Sequence, residues 1–311
     1  MYATPTGTRD VLHSELRELR AITDALCRVY EGRGYGEVRT PAIEVDDVIR
    51  RGSSIEPGYR VLDDHGNVMA LRPDMTVPIA RLGATRFAGA EPPLRFSYLA
   101  HVYRSVRPHR GEAREIQQSG IELLGAPGPD GTAEVLSVLC AALDQAGLRD
   151  YRIALGSAAV FPRVLEALGV DERLRPDLLA ALAAGDFVRL AGAVGDNGLA
   201  RELVSISRLR GGLEVVDGVP GDAAAALRGV LEAADQAVRD RVVVDLGLTR
   251  DLGYYTGAVF DVLHPALGAP IGGGGRYDEL VGRFGREMPA AGFAIEVDQL
   301  HGALMAEEPG P

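Results

Sequence analysis

One predicted strand carries a cation, an amide and a carboxylate at every fourth position. Arg114, Gln118 and Glu122 would share one face of this strand, because side chains alternate between faces. Arg104, at the end of the preceding predicted strand, could lie opposite them. A carboxylate accepts N–H donors and an arginine binds a carboxylate bidentately, so the set suits a zwitterionic ligand. A solvent-exposed polar face explains the same pattern equally well.

A second candidate is the segment Leu71-Arg72-Pro73-Asp74-Met75-Thr76. Pro73 and Asp74 are typical of the first turn of a helix, so the segment could simply begin one. In a binding site, Asp74 and Thr76 would offer two oxygens to an amino group.

A third candidate joins two stretches near the end of the chain. Arg250 to Gly257 contains the pair Tyr254-Tyr255, and four consecutive glycines follow at Gly272 to Gly275. Glycines let a backbone approach a ligand closely, and we expect this run between a strand and a helix. Neither a P-loop nor a dinucleotide-binding spacing is present. A plain turn and a core tyrosine pair are the alternatives.

Hydrophobic periodicity predicts the elements that must position these residues. An apolar stripe from Leu12 to Val29 predicts a helix, and Asp64 to Asn67 predicts a hairpin turn between strands at 60–62 and 68–71. The remaining predictions are a helix at 132–145 and strands at 37–40, 95–104, 114–124, 242–246, 254–263 and 291–297.

The stretch from about 157 to 240 differs from its flanks. Alanine and leucine recur there at helical spacing, which predicts a small helical insertion. Strands on both sides of a helical insertion favour an α+β fold with a mainly antiparallel sheet flanked by helices.

Charge and composition exclude several kinds of function. The chain has 311 residues, a formal charge of −11 and no lysine, and this negative field opposes binding of a whole tRNA. The start has no signal-peptide pattern and no apolar run reaches bilayer length, so we expect a cytoplasmic protein with no membrane contact. Cys27 and Cys140 fit reduced core thiols, and the histidines lack metal-ligand spacing, so we expect no metal and no cofactor.

The order of these segments resembles the catalytic core of histidyl-tRNA synthetase, a class II aminoacyl-tRNA synthetase. The resemblance implies one domain of that kind over 1–311, with a class II antiparallel sheet. The matching segments are 5–10, 36–44, 71–76, 104–122, 250–257, 272–278 and 292–300.

The resemblance also implies a site for L-histidine. Its residues would be Asp74, Thr76 and Gln118 at the α-amino group, Glu122 and Tyr255 at the imidazole, Arg104 and Arg250 at the carboxylate, and Tyr254 with the four glycines shaping the cavity.

Departures from the synthetase pattern fall on the ATP-binding positions. Gln299 replaces the arginine of the last class II motif, Val106 replaces a glutamate, and Glu112 replaces an arginine. Stabilisation of phosphate charge is usually the largest catalytic effect, so we expect adenylation to be lost. We also expect no anticodon-binding domain after residues 300–308.

This combination resembles the regulatory subunits of ATP phosphoribosyltransferase, which are non-catalytic relatives of the synthetase. It implies a homodimer through residues 36–44, a hetero-octamer with the short-form catalytic subunit, and feedback inhibition by histidine. One alternative is a truncated synthetase or histidine-activating ligase that uses Arg104 and Arg114. Another is a phosphoribosyltransferase, suggested by Leu62-Asp63-Asp64 but lacking the phosphate-binding glycines and threonines after it.

Overall fold

A computed structural model describes residues 3–53, 58–105, 113–194, 198–220, 224–248 and 253–308. The helices are α1 (His13–Gly32), α2 (Asp46–Gly52), α3 (Thr76–Thr85), α4 (Asp130–Ala146), α5 (Val160–Ala167), α6 (Arg175–Ala183), α7 (Phe187–Val194), α8 (Gly198–Ser207), α9 (Ala225–Ala233), α10 (Gln236–Arg241) and α11 (Val297–Glu307). The strands are β1 (Gly36–Glu37), β2 (Ile43–Val45), β3 (Arg60–Leu62), β4 (Val68–Leu71), β5 (Leu94–Tyr103), β6 (Glu115–Leu124), β7 (Arg152–Ser157), β8 (Arg210–Gly211), β9 (Val242–Asp245), β10 (Ala258–Leu263), β11 (Gly272–Arg276) and β12 (Ala290–Glu296). Short 3-10 helices cover Leu213–Gly218 and Val281–Phe284.

A large sheet organises the fold. Its described strands number nine, in the order β1-β5-β6-β12-β11-β10-β7-β9-β8. The β1–β5 and β7–β9 pairs are parallel and the other pairs are antiparallel. A separate small sheet has the order β2-β4-β3. The prediction of an α+β fold with a mainly antiparallel sheet is confirmed.

Helices cover the large sheet and create two cores. On one side, α1, α4 and α11 bury Leu26, Leu139 and Leu300. On the other, α3 packs with the small sheet around Met75, Ile79 and several tyrosines. Within the described ranges, no helix combines the length and apolar character needed to cross a membrane.

The hairpin of β5 and β6 is confirmed as a central antiparallel pair. On β6, Gln118 and Glu122 are only 4% and 1% exposed. Their face is therefore buried, and the solvent-exposed alternative is wrong. Arg114 lies just before β6, with Nε donating to the Thr6 carbonyl at 2.6 Å and Nη1 to the Tyr59 hydroxyl at 2.6 Å.

The glycine run was predicted wrongly. Gly272 to Gly275 do not join a strand to a helix; they form most of β11, between β10 and β12. A Cβ on Gly274 would lie 2.0 Å from the carbonyl oxygen of Gly292. Glycine is required here because the neighbouring backbone approaches too closely for a side chain.

The helices α5 to α10 occupy most of the stretch from Val160 to Arg241. β7 occupies Arg152–Ser157 and pairs with β10 and β9, and the first helix of the insertion begins at Val160. The strand prediction at 254–263 was also too long, because β10 begins at Ala258, and the predicted 37–40 strand is the short β1.

Candidate functional site

A cavity of about 340 Å³ lies over the middle of the large sheet. The start of α3, strands β6, β11 and β12, and the tyrosine pair before β10 form its walls. Its lining residues are Asp74, Met75, Thr76, Tyr98, Arg104, Gln118, Tyr254, Tyr255, Gly272, Gly273, Tyr277, Gly292, Phe293, Ala294 and Glu296.

Most of the predicted site residues meet in this cavity. Those that line it are Asp74, Thr76, Arg104, Gln118, Tyr254 and Tyr255. Glu122 is one layer deeper, behind Thr76 and Tyr277, to which it is hydrogen-bonded. Arg250 lies outside the described residues, as do Val106 and Glu112.

Asp74 lines this cavity and has an unsatisfied carboxylate oxygen. The residue is 6% exposed, and its Oδ1 accepts a hydrogen bond from the Val77 amide at 2.9 Å, at the start of α3. Its Oδ2 is buried and has no hydrogen-bond partner in the described part of the chain. Burial raises the pKa of Asp74, although the nearby Arg104 charge and the Val77 amide oppose this shift. A buried unsatisfied oxygen is costly, and a hydrogen-bond donor that reached Oδ2 would remove this cost.

Glu122 is held by two hydroxyl groups. The Thr76 hydroxyl donates to Oε1 at 2.7 Å and the Tyr277 hydroxyl donates to Oε2. Burial raises the pKa of Glu122 to about 8; the charge of Asp74 adds to the shift and the two hydroxyl donors reduce it. A Cβ on Gly292 would lie 1.8 Å from Oε2, so the neighbouring strand must carry glycine there.

Arg104 supplies positive charge to the cavity. Its Nε donates to the Pro73 carbonyl at 3.3 Å and its Nη1 lies 3.4 Å from Glu296 Oε1. Its side chain is 37% exposed, so the guanidinium remains accessible to a ligand carboxylate.

Aromatic rings form the remaining wall. Tyr254 packs against Tyr255 with ring centroids 4.9 Å apart and against Tyr277 at 5.8 Å. The Tyr98 hydroxyl donates to the Phe293 carbonyl at 3.3 Å. The tyrosine pair is thus part of the cavity wall.

Sequence reasoning missed Tyr98, Tyr277, Phe293 and Glu296 as individual site residues. Tyr277 directly follows the glycine strand, but its contact with Glu122 spans 155 positions of the sequence. No local pattern reveals such a contact, whereas Glu296 could have been found from its position at the end of a predicted strand.

Two other residues singled out in the sequence, Gln299 and Asp63, do not line the cavity. Gln299 is half-buried in the first turn of α11, outside the cavity lining. Asp63 accepts from the His65 and Asn67 amides at 2.9 and 2.7 Å, so it stabilises the turn between β3 and β4. In the part of the chain that the structure describes, no group of three or more His, Cys, Asp or Glu is arranged to hold a metal.

The fold is that of a class II aminoacyl-tRNA synthetase core. The family model for histidyl-tRNA synthetase matches residues 7–300. The chain is similar to a Bacillus halodurans structure described as an ATP phosphoribosyltransferase regulatory subunit/histidyl-tRNA synthetase, with a TM-score of 0.88 and 30% identity over 98% of this chain and 83% of that one. It also resembles a histidine–tRNA ligase subunit from Alicyclobacillus acidocaldarius, with a TM-score of 0.80 and 34% identity over 99% of both chains.

Curated relatives narrow this class further. A Symbiobacterium thermophilum protein named ATP phosphoribosyltransferase regulatory subunit is 44% identical over 98% of this chain and 79% of its own length. A protein of the same name from Desulforamulus reducens is 38% identical over 96% of this chain and 78% of its own length. The chain belongs to the histidyl-tRNA synthetase-like family, in the group of ATP phosphoribosyltransferase regulatory subunits.

Proposed function

We propose that the chain is a non-catalytic regulatory subunit of ATP phosphoribosyltransferase, which catalyses the first step of L-histidine biosynthesis. It activates the short-form catalytic subunit and binds L-histidine as the feedback inhibitor, and the complex works in the cytoplasm. The names of the full-length relatives support the assembly. The observation that carries the ligand assignment is the unpartnered Oδ2 of Asp74 inside the cavity.

The cavity has the chemistry of an α-amino acid site. An ammonium donor at Asp74 Oδ2 would satisfy the buried oxygen with a charge-assisted hydrogen bond. Arg104 then faces the ligand carboxylate, and the family resemblance assigns the same role to Arg250. Thr76 and Gln118 supply the remaining polar contacts at the amino group.

The imidazole end is proposed to meet Tyr255 and Glu122. Tyr255 lines the cavity, and Glu122 lies directly behind Thr76. An ionised carboxylate has about four acceptor sites, so once Glu122 has lost its proton it can accept an imidazole N–H in addition to its two present donors. Tyr254 and the glycines of β11 define the shape of this end.

We also propose that two copies associate through the region of residues 36–44. The small sheet exposes Ile43, Val45 and Val61 at 46%, 44% and 43%. Val45 and Val61 lie on the same face of this sheet, on either side of Met69 of β4, with which both pair. An exposed apolar group of this kind is typical of a protein interface. Four such chains with four catalytic subunits would give the proposed hetero-octamer.

Reconstitution with a purified short-form catalytic subunit tests the function. Transfer from phosphoribosyl pyrophosphate to ATP should require this chain and should fall when histidine is added. Tyr255→Phe should weaken the inhibition without changing dimerisation, which sedimentation would measure. A catalytic subunit whose activity is the same with and without the chain would refute the proposal.

A histidine-activating ligase is the second candidate, favoured by the similarity to a histidine–tRNA ligase subunit and by Arg104 in the cavity. Pyrophosphate exchange that requires both histidine and ATP would support it. We propose that this exchange is absent, because phosphate-binding positions have changed. We also propose that the chain binds neither tRNA nor a metal.

A further inference from the structure

Arg72 is an arginine buried between the cavity and the small sheet. It is only 5% exposed and directly precedes Pro73 and Asp74. Its guanidinium donates to oxygens from two other segments. These bonds are Nε to the His101 carbonyl at 2.8 Å and Nη1 to the Thr40 carbonyl at 2.8 Å, Thr40 Oγ1 at 3.2 Å and the Pro41 carbonyl at 3.3 Å.

Every acceptor that the structure gives Arg72 is a neutral oxygen. Burial lowers the pKa of its guanidinium, yet an arginine stays protonated in a protein. A buried charge persists only where hydrogen bonds compensate its desolvation, so these contacts must be kept together. A lysine could not reproduce them, because it lacks the planar fork of donors.

On one side, Arg72 holds the segment that leads into the small sheet. Besides its side-chain bonds to Thr40 and Pro41, its amide donates to the Ala42 carbonyl at 3.0 Å. The next residues are Ile43 to Val45 of β2, which belong to the exposed apolar group.

On the other side, Arg72 is joined to the cavity wall. Its carbonyl accepts from the Tyr103 amide at 2.9 Å, and the Pro73 carbonyl accepts from Arg104 Nε. Asp74 follows, with its unpartnered Oδ2. Few torsions separate the two sides, because peptide bonds are planar and the proline ring fixes one φ.

We propose that Arg72 is a positioning residue that couples ligand occupancy at Asp74 to the segment of residues 40–45. A ligand ammonium group that donates a hydrogen bond to Asp74 Oδ2 changes the preferred position of residues 72–74. The Arg72 guanidinium donates to Thr40 and Pro41 at the same time, so a shift of Arg72 also shifts these two residues. Ligand binding in the cavity would thereby change the position of the apolar face of the small sheet. This inference rests on the proposed function only for the identity of the ligand.

Hydrogen exchange with mass spectrometry tests the coupling directly. The protein would be measured with and without L-histidine, at concentrations that calorimetry shows to be saturating for each variant. In the wild-type chain, histidine should change the amide exchange rate of the 36–45 peptide, which does not line the cavity, by about fivefold or more. Arg72→Lys at the same occupancy should reduce this change to below twofold.

A matched control is Arg286→Lys. The Arg286 side chain, like that of Arg72, donates to backbone carbonyl oxygens, those of Phe87 and Ala90 at 2.6 and 2.8 Å. These bonds involve neither Asp74 nor the 36–45 peptide, so this variant should keep the wild-type response. If Arg72→Lys does not fold, Thr40→Val replaces it, because this change removes only the hydroxyl acceptor and should reduce the response by about half.

The possible outcomes separate the two proposals. The role of Arg72 is overturned if histidine changes the exchange of the 36–45 peptide in Arg72→Lys as much as in the wild type. Where the lysine variant is unfolded, the same result in Thr40→Val overturns it. Histidine binding with no response in the wild-type peptide also overturns it, while the proposed function stands. An absence of histidine binding in calorimetry instead overturns the proposed ligand.

Discussion

Glu122 provides the sharpest test of the cavity's electrostatics. The substitution Glu122→Gln keeps the size of the side chain and removes its titration. In the folded protein the carboxyl group is 1% exposed, and its pKa is raised from 4.5 to about 8 by burial. A group with a raised folded-state pKa contributes stability that is full below its unfolded pKa and is lost as the pH rises through the folded pKa.

The size of the effect follows from the shift. One pKa unit corresponds to about 1.4 kcal/mol, so between pH 5 and pH 8 the carboxyl group should lose roughly 3–4 kcal/mol of its contribution to the free energy of unfolding. The free energy of unfolding of the ligand-free wild-type chain, relative to that of Glu122→Gln, should therefore fall by that amount between pH 5 and pH 8. Titrating groups other than Asp74, whose charge acts on Glu122, are common to both proteins and cancel in the comparison.

Urea unfolding at pH 5 and pH 8 measures this difference. Glu134→Gln is the control, because the hydrogen bond from Arg95 lowers the pKa of Glu134 and its contribution has the opposite sign. That contribution is present above the unfolded pKa and is lost as the pH falls. An equal stability difference between wild type and Glu122→Gln at both pH values would show that Glu122 is ionised normally and that the account of the cavity is wrong.

Three further substitutions test other parts of the site. Asp74→Asn should weaken histidine binding about 10- to 150-fold, from a loss of about 1.5–3 kcal/mol, without lowering stability at pH 8, because it removes a buried charge. Gly292→Ala should destabilise the chain by about 1–3 kcal/mol, because its Cβ would lie 1.8 Å from Glu122 Oε2. Gln299→Arg should not produce histidine-dependent pyrophosphate exchange, because Val106 and Glu112 remain.

Each of these predictions has a clear measurement and a contrary result. Calorimetry and urea unfolding check Asp74→Asn, and an unchanged histidine affinity would remove Asp74 from the site. For Gly292→Ala the control is Gly268→Ala, where a Cβ meets nothing within 4 Å; equal stability of the two variants would contradict the packing argument. Exchange activity in Gln299→Arg would mean that the other two departures matter less than we infer.

The sequence predicted the hairpins best, because both periodicity and turn chemistry point to them. The strands at 60–62 and 68–71 have the bounds predicted, and Asp63 makes the amide contacts that close the turn between them. The glycine strand β11 was missed because glycine has low strand propensity, and its conformation is imposed by β10 and β12. Its neighbours, not its own residues, determine it.

The site was predicted by the family resemblance more than by local patterns. Alternation on β6 placed Gln118 and Glu122 together, but it could not decide between a buried and an exposed face. The contact from Tyr277 to Glu122 and the bonds from Arg72 to Thr40 join distant segments. Such contacts follow from the packing of the whole sheet, which no short stretch of sequence contains.

Calorimetric titration of the purified chain with L-histidine, followed by ATP, tests the central claim most directly. The cavity should bind one histidine per chain, and ATP added afterwards should give no further binding heat and release no pyrophosphate. Firm ATP binding in a chain that takes up no histidine would contradict the account.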